Sequence, residues 1–470
     1  MHNFTATYTD LYQINMAQVY FQQGKHEHQA VFDYFFRKLP FEGGYAVFSG
    51  LETLLEILED FRFSKEDLDF LNAQGLDSKF LDYLKDFKFQ GNIISSAEGD
   101  IVFPTRPVLQ VEANMVEAQL VETILLNILN FQTLITTKAS RIRKSAGDQM
   151  LIDFGMRRAQ SSGAYHASRA AFIGGFEATS NVVAGKDFNI PISGTMAHSF
   201  VQSYDDELTA FRDFAQSHPD NSILLVDTYD TLKSGLPNAI KVGKEMKSRG
   251  EELKGIRLDS GDLSYLAKKC RKALDEAGLQ DVKIAASNQL DEYVIRSLKE
   301  QQGPIDVFGV GTNLVIGDPD AALDGVYKLA FANDKPRIKL SENLAKLTLP
   351  HKKQVYRMRN SEGKLTGADA VTLREETNIA HMNHPFDASK SLRFNDCTEE
   401  ALLHYVMKDG KRTEPPKRLQ DIKAYSRKRL AEFTEEFQRF ENPHLYKIGI
   451  SDQLLEEREA LRNHYKTQNA

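Results

Sequence analysis

The sequence predicts an α/β protein organised around a parallel sheet, and three observations predict it. Short apolar runs recur along the middle of the chain, each followed at once by a polar or glycine-containing turn. From Ile223 onward these runs are spaced by roughly 20–30 residues with helical stretches between them, the rhythm of consecutive βα units. The chain has 470 residues, enough for two or three packed domains.

The runs come in order. Met150-Leu151-Ile152 leads to Asp153-Phe154-Gly155, and Ile223-Leu224-Leu225-Val226 to Asp227-Thr228-Tyr229-Asp230. Gly255-Ile256-Arg257-Leu258 leads to Asp259-Ser260-Gly261-Asp262, and Val282 to Ala286 leads to Ser287-Asn288. Ile305-Asp306-Val307-Phe308 leads to Gly309-Val310-Gly311-Thr312. Between them, Ser264 to Gly278 reads as a helix ending in a C-cap glycine. Such units close into a barrel or an open doubly wound sheet, and in both the site lies beyond the C-terminal strand ends. A single Asp or Ser after a strand is accounted for as a cap of the next helix. Five such turns, two of them with paired acids, point to a site.

Before this core, Gln29 to Lys38 has the β-branched and aromatic content of a strand. Ser49 to Phe61 opens with a Ser cap and continues with leucines at helical spacing. Gly99 to Pro104 reads as a strand ending in a breaker. Val121 to Thr137 is the most apolar stretch, but it carries Glu122, Asn127, Asn130 and Gln132 and falls short of the ~20 apolar residues of a spanning helix; a buried helix is expected. The last third is charged and mixed, with Arg427 to Arg439 reading as a solvated helix. Texture therefore divides the chain into 1–131, an N-terminal α/β domain; 132–345, the βα core; and 346–470, a C-terminal α/β extension.

Composition narrows the function classes. Hydrophobic residues make up 41% and charged residues 27%, as in ordinary globular proteins. A net charge of −7 argues against nucleic acid or a membrane surface as the main partner. Two distant cysteines, Cys270 and Cys397, form no CxxC and no disulfide framework, and Met1 to Thr5 show no basic start of a signal peptide, so a cytoplasmic location is expected. There is no GxxxxGK[ST], no G-x-G-x-x-G after a strand, no G-x-S-x-G and no H-E-x-x-H. His26-Glu27-His28 reads as a solvated turn rather than a metal site.

Six segments carry a more specific signal. They are Thr9 to Gln13 (TDLYQ), Asp153 to Arg158 (DFGMRR), Ser193 to Ser199 (SGTMAHS), Arg257 to Asp262 (RLDSGD), Gly309 to Thr312 (GVGT) and Gly325 to Leu329 (GVYKL). Together, in this order and spacing, they resemble the nicotinate phosphoribosyltransferase family over residues 7 to 350. The resemblance implies a type II phosphoribosyltransferase: an irregular, incomplete α/β barrel core with the N-terminal α/β domain packed against it, in a homodimer with shared active sites. It implies transfer of the phosphoribosyl group of phosphoribosyl pyrophosphate to nicotinate for NAD biosynthesis by salvage, with ATP as co-substrate, Mg²⁺ as cofactor, and a phosphohistidine intermediate.

Roles follow residue by residue from that resemblance, and the chemistry suits them. A pyridine ring needs flat apolar faces, which Phe154 and Tyr12 offer, the tyrosine coming from the partner subunit in the family. Arg157 and Arg257 match the positions that fork the nicotinate carboxylate, with the Thr195 hydroxyl beside them. An Arg inside the apolar Gly255 to Leu258 run is costly unless it has a partner. Asp227 and Asp259 match the catalytic carboxylates, suited to Mg²⁺ and to the cationic ribose of the transition state, although no set of metal ligands can be assigned. Ser260, Ser287, Asn288, Gly309, Gly311 and Thr312 match the phosphoribosyl cradle. His198 matches the phosphorylated histidine, and a neutral imidazole can accept and pass on a phosphoryl group.

The related nicotinamide enzyme carries an acid that accepts bonds from the amide. The corresponding stretch, Phe176 to Asn181, reads Ala or Thr at that position, with Glu177 adjacent, in agreement with an acid substrate. Quinolinate, with two carboxylates, would need more cations around the ring. A non-catalytic sensor has no need of a phosphorylatable histidine, and a metal-dependent barrel lyase leaves the His198 segment without a role.

Overall fold

The computed structural model describes residues 4–341 and 348–468; Met1 to Asn3 and the expected boundary at 345/346 lie outside the described residues. The chain forms two compact units, one of residues 1–134 with 322–470 and one of residues 135–321.

The unit of residues 135–321 is the βα core. Its sheet runs in the order Ala178–Thr179, Met150–Asp153, Val307–Val310, Lys283–Ser287, Gly255–Leu258, Ile223–Leu225, with every pair parallel. The two outer strands do not meet, so the barrel is incomplete. The helices Leu236–Ser248, Leu263–Glu276 and Glu292–Glu300 follow three of these strands and bury Val242 and Met246, Cys270 and Leu274, and Ile295 and Leu298. Burial of one apolar stripe on each helix is the main source of their stability. In register, Asp153 lies opposite Val310, and Ser287 opposite Gly309. The C-terminal strand ends are therefore level.

The last strand starts two residues later than its apolar content predicts, at Val307 rather than Ile305, so Gly309 is inside the strand and the turn begins at Gly311. Glycine is required at 309, because a Cβ there would fall 2.4 Å from the Phe154 ring. The Ala178–Thr179 strand is too short to show any periodicity in the sequence.

The other unit holds two larger sheets. One is antiparallel, in the order Lys335–Pro336, Gly325–Ala332, Gln29–Phe36, Leu109–Asn114, Asn92–Ser95, His404–Lys408, Lys411–Arg412. The Gly325–Ala332 strand thus belongs to this unit, although it was expected within the core segment. Its Tyr327 stacks on Phe32 with centroids 4.6 Å apart and donates to the Ala118 carbonyl at 2.8 Å. The second sheet is mixed, in the order Ser391–Arg393, His381–Asn383, Lys447–Ile450, Leu365–Leu373, Lys353–Arg359, Thr398–Ala401.

Two expectations are corrected here. The helix after Ser49 is Leu51–Glu59, and its N-cap is Gly50, not the serine. The carboxylate of Glu98 accepts from the backbone of Gly50 at 2.6 Å and of Glu52 at 3.0 Å, supplying from a distant segment what a local cap would. The expected solvated helix over Arg427 to Arg439 is instead Leu419–Ala431, and Arg429 is buried. It pairs with Asp100 at 2.8 Å, while Arg357 joins Asp100 at 3.1 Å and Asp369 at 3.0 Å. Opposed carboxylates make these buried guanidiniums tolerable. The buried helix expected over Val121 to Thr137 is present and runs on to Ala146, as Glu122–Ala146, and among the described residues no helix is long and apolar enough to cross a membrane.

Candidate active site

The level strand ends of the residue 135–321 unit bring the predicted core residues together. Asp153 ends its strand fully buried, at 1% exposure. Its Oδ1 accepts from the Gly155 amide at 2.8 Å, and its Oδ2 accepts from Ser168 Oγ at 2.7 Å and Thr179 Oγ1 at 2.8 Å. Burial, opposed by these bonds, raises its carboxyl above the usual range. The bonds shape the turn that presents Phe154, whose amide donates to Val310 O at 2.8 Å. Gly155 is required there, because a Cβ would come within 2.0 Å of Val315 Cγ1.

Arg257 is half-buried, and its guanidinium carbon lies 6.0 Å from the centroid of the Phe154 ring. Its Nη1 donates to Thr195 Oγ1 at 2.6 Å, while its buried Nε has no hydrogen-bond partner among the described residues. Burial holds its pKa below the usual value; Asp259 and Asp227 oppose that shift and Arg157 adds to it. Arg157 is exposed on the same turn as Phe154. A flat ring, two guanidiniums and a hydroxyl thus converge, and one buried donor is left open. An aromatic carboxylate has the matching shape and charge.

The paired acids divide their work. Asp230 and Asp262 cap the helices that follow them, accepting from Lys233 N at 2.8 Å and Tyr265 N at 2.9 Å. Asp227 turns toward the Asp259 loop, and Asp259 toward Ser287 at the end of the neighbouring strand. Asp227 Oδ2 accepts from the Asp259 amide and from Ser260 Oγ, both at 2.7 Å. Its buried Oδ1 has no partner among the described residues. Asp259 Oδ1 accepts a short hydrogen bond from Ser287 Oγ.

His198 opens the short His198–Gln202 helix. Its Nδ1 lies 3.1 Å from Thr228 Oγ1, and its Nε2 lies 3.8 Å from Asp259 Oδ2. Its side chain is 40% exposed, open enough to meet a phosphoryl donor. Asn288 and Gln289 follow Ser287 with φ of 82° and 50°, turning the backbone sharply at the strand end. Gly311 and Thr312 form the neighbouring turn, where a Cβ on Gly311 would lie 3.3 Å from Phe154 O.

Tyr12 belongs to the other unit, 51% exposed on the Leu11–Gln22 helix. Glu177 is held away from the strand ends: it pairs with Arg143 at 2.5 Å and accepts from the amide of Leu151, near the start of its strand, at 2.8 Å. Three partners have no bonding role assigned from sequence: Thr228, Ser168 and Thr179. Thr228 lies within the Asp227 to Asp230 turn and Thr179 within the Phe176 to Asn181 stretch, both already singled out, whereas Ser168 carries no local signal. Among the described residues there is no cluster of three or more His, Cys, Asp or Glu able to hold a metal ion.

Residues 7–130 match the nicotinate phosphoribosyltransferase (NAPRTase) N-terminal domain, residues 150–363 the nicotinate phosphoribosyltransferase (NAPRTase) family, and residues 352–458 the nicotinate phosphoribosyltransferase C-terminal domain. The chain is 46% identical to nicotinate phosphoribosyltransferase of Bacillus subtilis (strain 168) over 455 residues, covering 95% of this chain and 92% of that protein. The crystal structure of human nicotinic acid phosphoribosyltransferase matches with a TM-score of 0.86 at 30% identity, covering 96% of this chain and 99% of that one. A nicotinate-nucleotide pyrophosphorylase from Pyrococcus furiosus shares the fold, with a TM-score of 0.71 at 23% identity over 91% of this chain and 95% of that one. With its three segments matched in order and a relative of this identity over nearly its whole length, the chain belongs to the nicotinate phosphoribosyltransferase family.

Proposed function

We propose that this enzyme joins the ring nitrogen of nicotinate to the anomeric carbon of phosphoribosyl pyrophosphate, releasing pyrophosphate, and that it couples the transfer to ATP hydrolysis through a phosphohistidine at His198. The product, nicotinate mononucleotide, enters NAD biosynthesis by salvage, in the cytoplasm. The observation that carries the reading is the Arg257 guanidinium, bonded to Thr195 beside the Phe154 ring with its Nε unpartnered among the described residues.

In this reading Phe154 supports one face of the ring, and Arg257 and Arg157 hold the carboxylate. The ring nitrogen then points to the ribose. As the bond to pyrophosphate breaks, Asp227 and Asp259 stabilise the cationic ribose. Ser260, Ser287, Asn288 and the Gly309 to Thr312 turn receive the phosphoribosyl group through hydroxyls and backbone amides. The unpartnered Oδ1 of Asp227 suits a divalent cation held by one carboxylate together with substrate phosphates rather than by a protein cage. Bound Mg²⁺ would neutralise charge on the departing pyrophosphate.

His198 accepts the γ-phosphoryl group of ATP: a nitrogen–phosphorus bond forms, the bond to the β-phosphate oxygen breaks, and ADP leaves. Water later releases phosphate. The Asp259 carboxylate facing Nε2 favours a proton there, which leaves Nδ1, beside the Thr228 hydroxyl, as the nucleophile. A homodimer completes the pocket with Tyr12 of the partner subunit on the second ring face; Leu11 and Tyr12, 61% and 51% exposed, are apolar surface consistent with such a contact.

The test is product formation from phosphoribosyl pyrophosphate with nicotinate, nicotinamide or quinolinate, each with and without ATP and Mg²⁺. Turnover with nicotinate, stimulated by ATP, is expected. Turnover confined to another ring overturns the specificity, and a rate that is the same with and without ATP overturns the coupling.

A further inference from the structure

Asp153 contacts two segments at once, the Phe154 turn and the Ala178–Thr179 strand, and these lead to two different walls of the ring pocket. Its Oδ1 accepts from Gly155 N and so fixes the turn that carries Phe154 and Arg157. Its Oδ2 accepts from Thr179 Oγ1. The backbone of Thr179 holds the segment leading to Thr195: Thr179 N donates to Pro191 O, and Ser193 N donates to Thr179 O, each at 3.0 Å. Two residues beyond Ser193, Thr195 accepts from Arg257.

We propose that Asp153 is a positioning residue for pyridine binding, one that sets the distance between the Phe154 floor and the Arg257–Thr195 clamp. This rests on the reading of those residues as the nicotinate pocket. Asp153 touches no substrate. Its carboxylate receives three neutral donors, and no cation pairs with it among the described residues. A carboxylate so placed is stabilised only while all three donors point at it, so the two segments are held in one relative arrangement. Asn would keep one carbonyl oxygen for Gly155 N but would present an NH₂ to the Ser168 and Thr179 hydroxyls. The link to the clamp is then the one that changes. The Asp227–Asp259–Ser287 cluster makes no bond to Asp153 and is unaffected.

The experiment compares wild type with Asp153→Asn, Thr179→Val and the double variant, with Thr179→Ser as the conservative control. KM is measured separately for the ring substrate and for phosphoribosyl pyrophosphate, using whichever ring the wild type turns over. Wild-type turnover thereby tests the function, and the variants test the positioning role. Asp153→Asn and Thr179→Val should each raise KM for the ring about tenfold or more, with KM for phosphoribosyl pyrophosphate within twofold. The double variant should be no worse than the worse single one, because both break the same link, and Thr179→Ser, which keeps the hydroxyl, should behave as wild type. Equal losses toward both substrates, additive effects in the double variant, or an unchanged ring KM would each overturn the proposal. Thermal unfolding of every variant identifies a simple loss of folding, which would also depress both substrates together.

Discussion

Arg257 and Thr195, 62 residues apart in sequence, are joined by a 2.6 Å hydrogen bond in which the guanidinium donates and the hydroxyl accepts. The bond anchors one side of a half-buried cation beside Phe154, and the Arg257 Nε has no partner among the described residues. A charge-assisted hydrogen bond contributes about 1.5–3 kcal/mol. Arg257→Ala should therefore raise the nicotinate KM about tenfold or more, and Thr195→Val, which frees the guanidinium without removing it, should raise it less. Steady-state kinetics at saturating phosphoribosyl pyrophosphate would show this, and an unchanged KM in Arg257→Ala would remove that residue from carboxylate binding.

If, as proposed, the imidazole serves the phosphoryl branch and Asp227 and Asp259 the ribosyl branch, His198→Ala should abolish ATP-coupled turnover while leaving some phosphoribosyl transfer. Incubation of wild type with γ-labelled ATP should give an acid-labile, base-stable phosphoenzyme that the variant lacks. Thr228→Val, which deletes the hydroxyl 3.1 Å from Nδ1, should lower the extent of labelling without eliminating it. ATP hydrolysis by His198→Ala at the wild-type rate would move the phosphoryl acceptor elsewhere.

The parallel core was legible because its strands are buried on both faces and read as apolar runs. The site was legible as a set of turns, but its division of labour was not. Asp227 and Asp230 are two acids of a single turn, yet one faces the Asp259 loop and the other caps a helix. Only the tertiary placement of the next loop separates them. The C-terminal region was obscured for a different reason. In Lys353–Arg359 (KQVYRMR) charge normally signals exposure, but Lys353 and Arg357 are both buried, against Asp33 and against Asp100 with Asp369. Those carboxylates come from remote segments, so no local pattern announces the strand.

Gly155 offers a steric test of the Phe154 turn. Its missing Cβ would stand 2.0 Å from Cγ1 of the buried Val315. Gly155→Ala should destabilise the protein by about 1–3 kcal/mol, the usual range for overpacking. Gly194, on the neighbouring segment, has nothing within 4 Å of an added Cβ, so Gly194→Ala should stay within about 0.5 kcal/mol. Denaturant unfolding of the two variants side by side would decide; equal stabilities would mean that the turn yields freely to a side chain.

His166 makes the fold pH-dependent in a predictable direction. It is buried on the Ser161–Ile173 helix, and burial, reinforced by Arg169, pushes its imidazole down to about 4. An unfolded chain protonates a histidine near 6.5. Between those values the unfolded state binds a proton that the native state refuses, so stability falls as pH drops through this window and the loss is complete below it. The span corresponds to roughly 3 kcal/mol for this one group. His166→Gln removes the titration but not the bulk of the side chain. Unfolding free energies from pH 7.5 to 4.5 should show the wild type losing its advantage over the variant as the pH falls. A difference that stays constant across that range would mean that His166 protonates in the native state at its ordinary value.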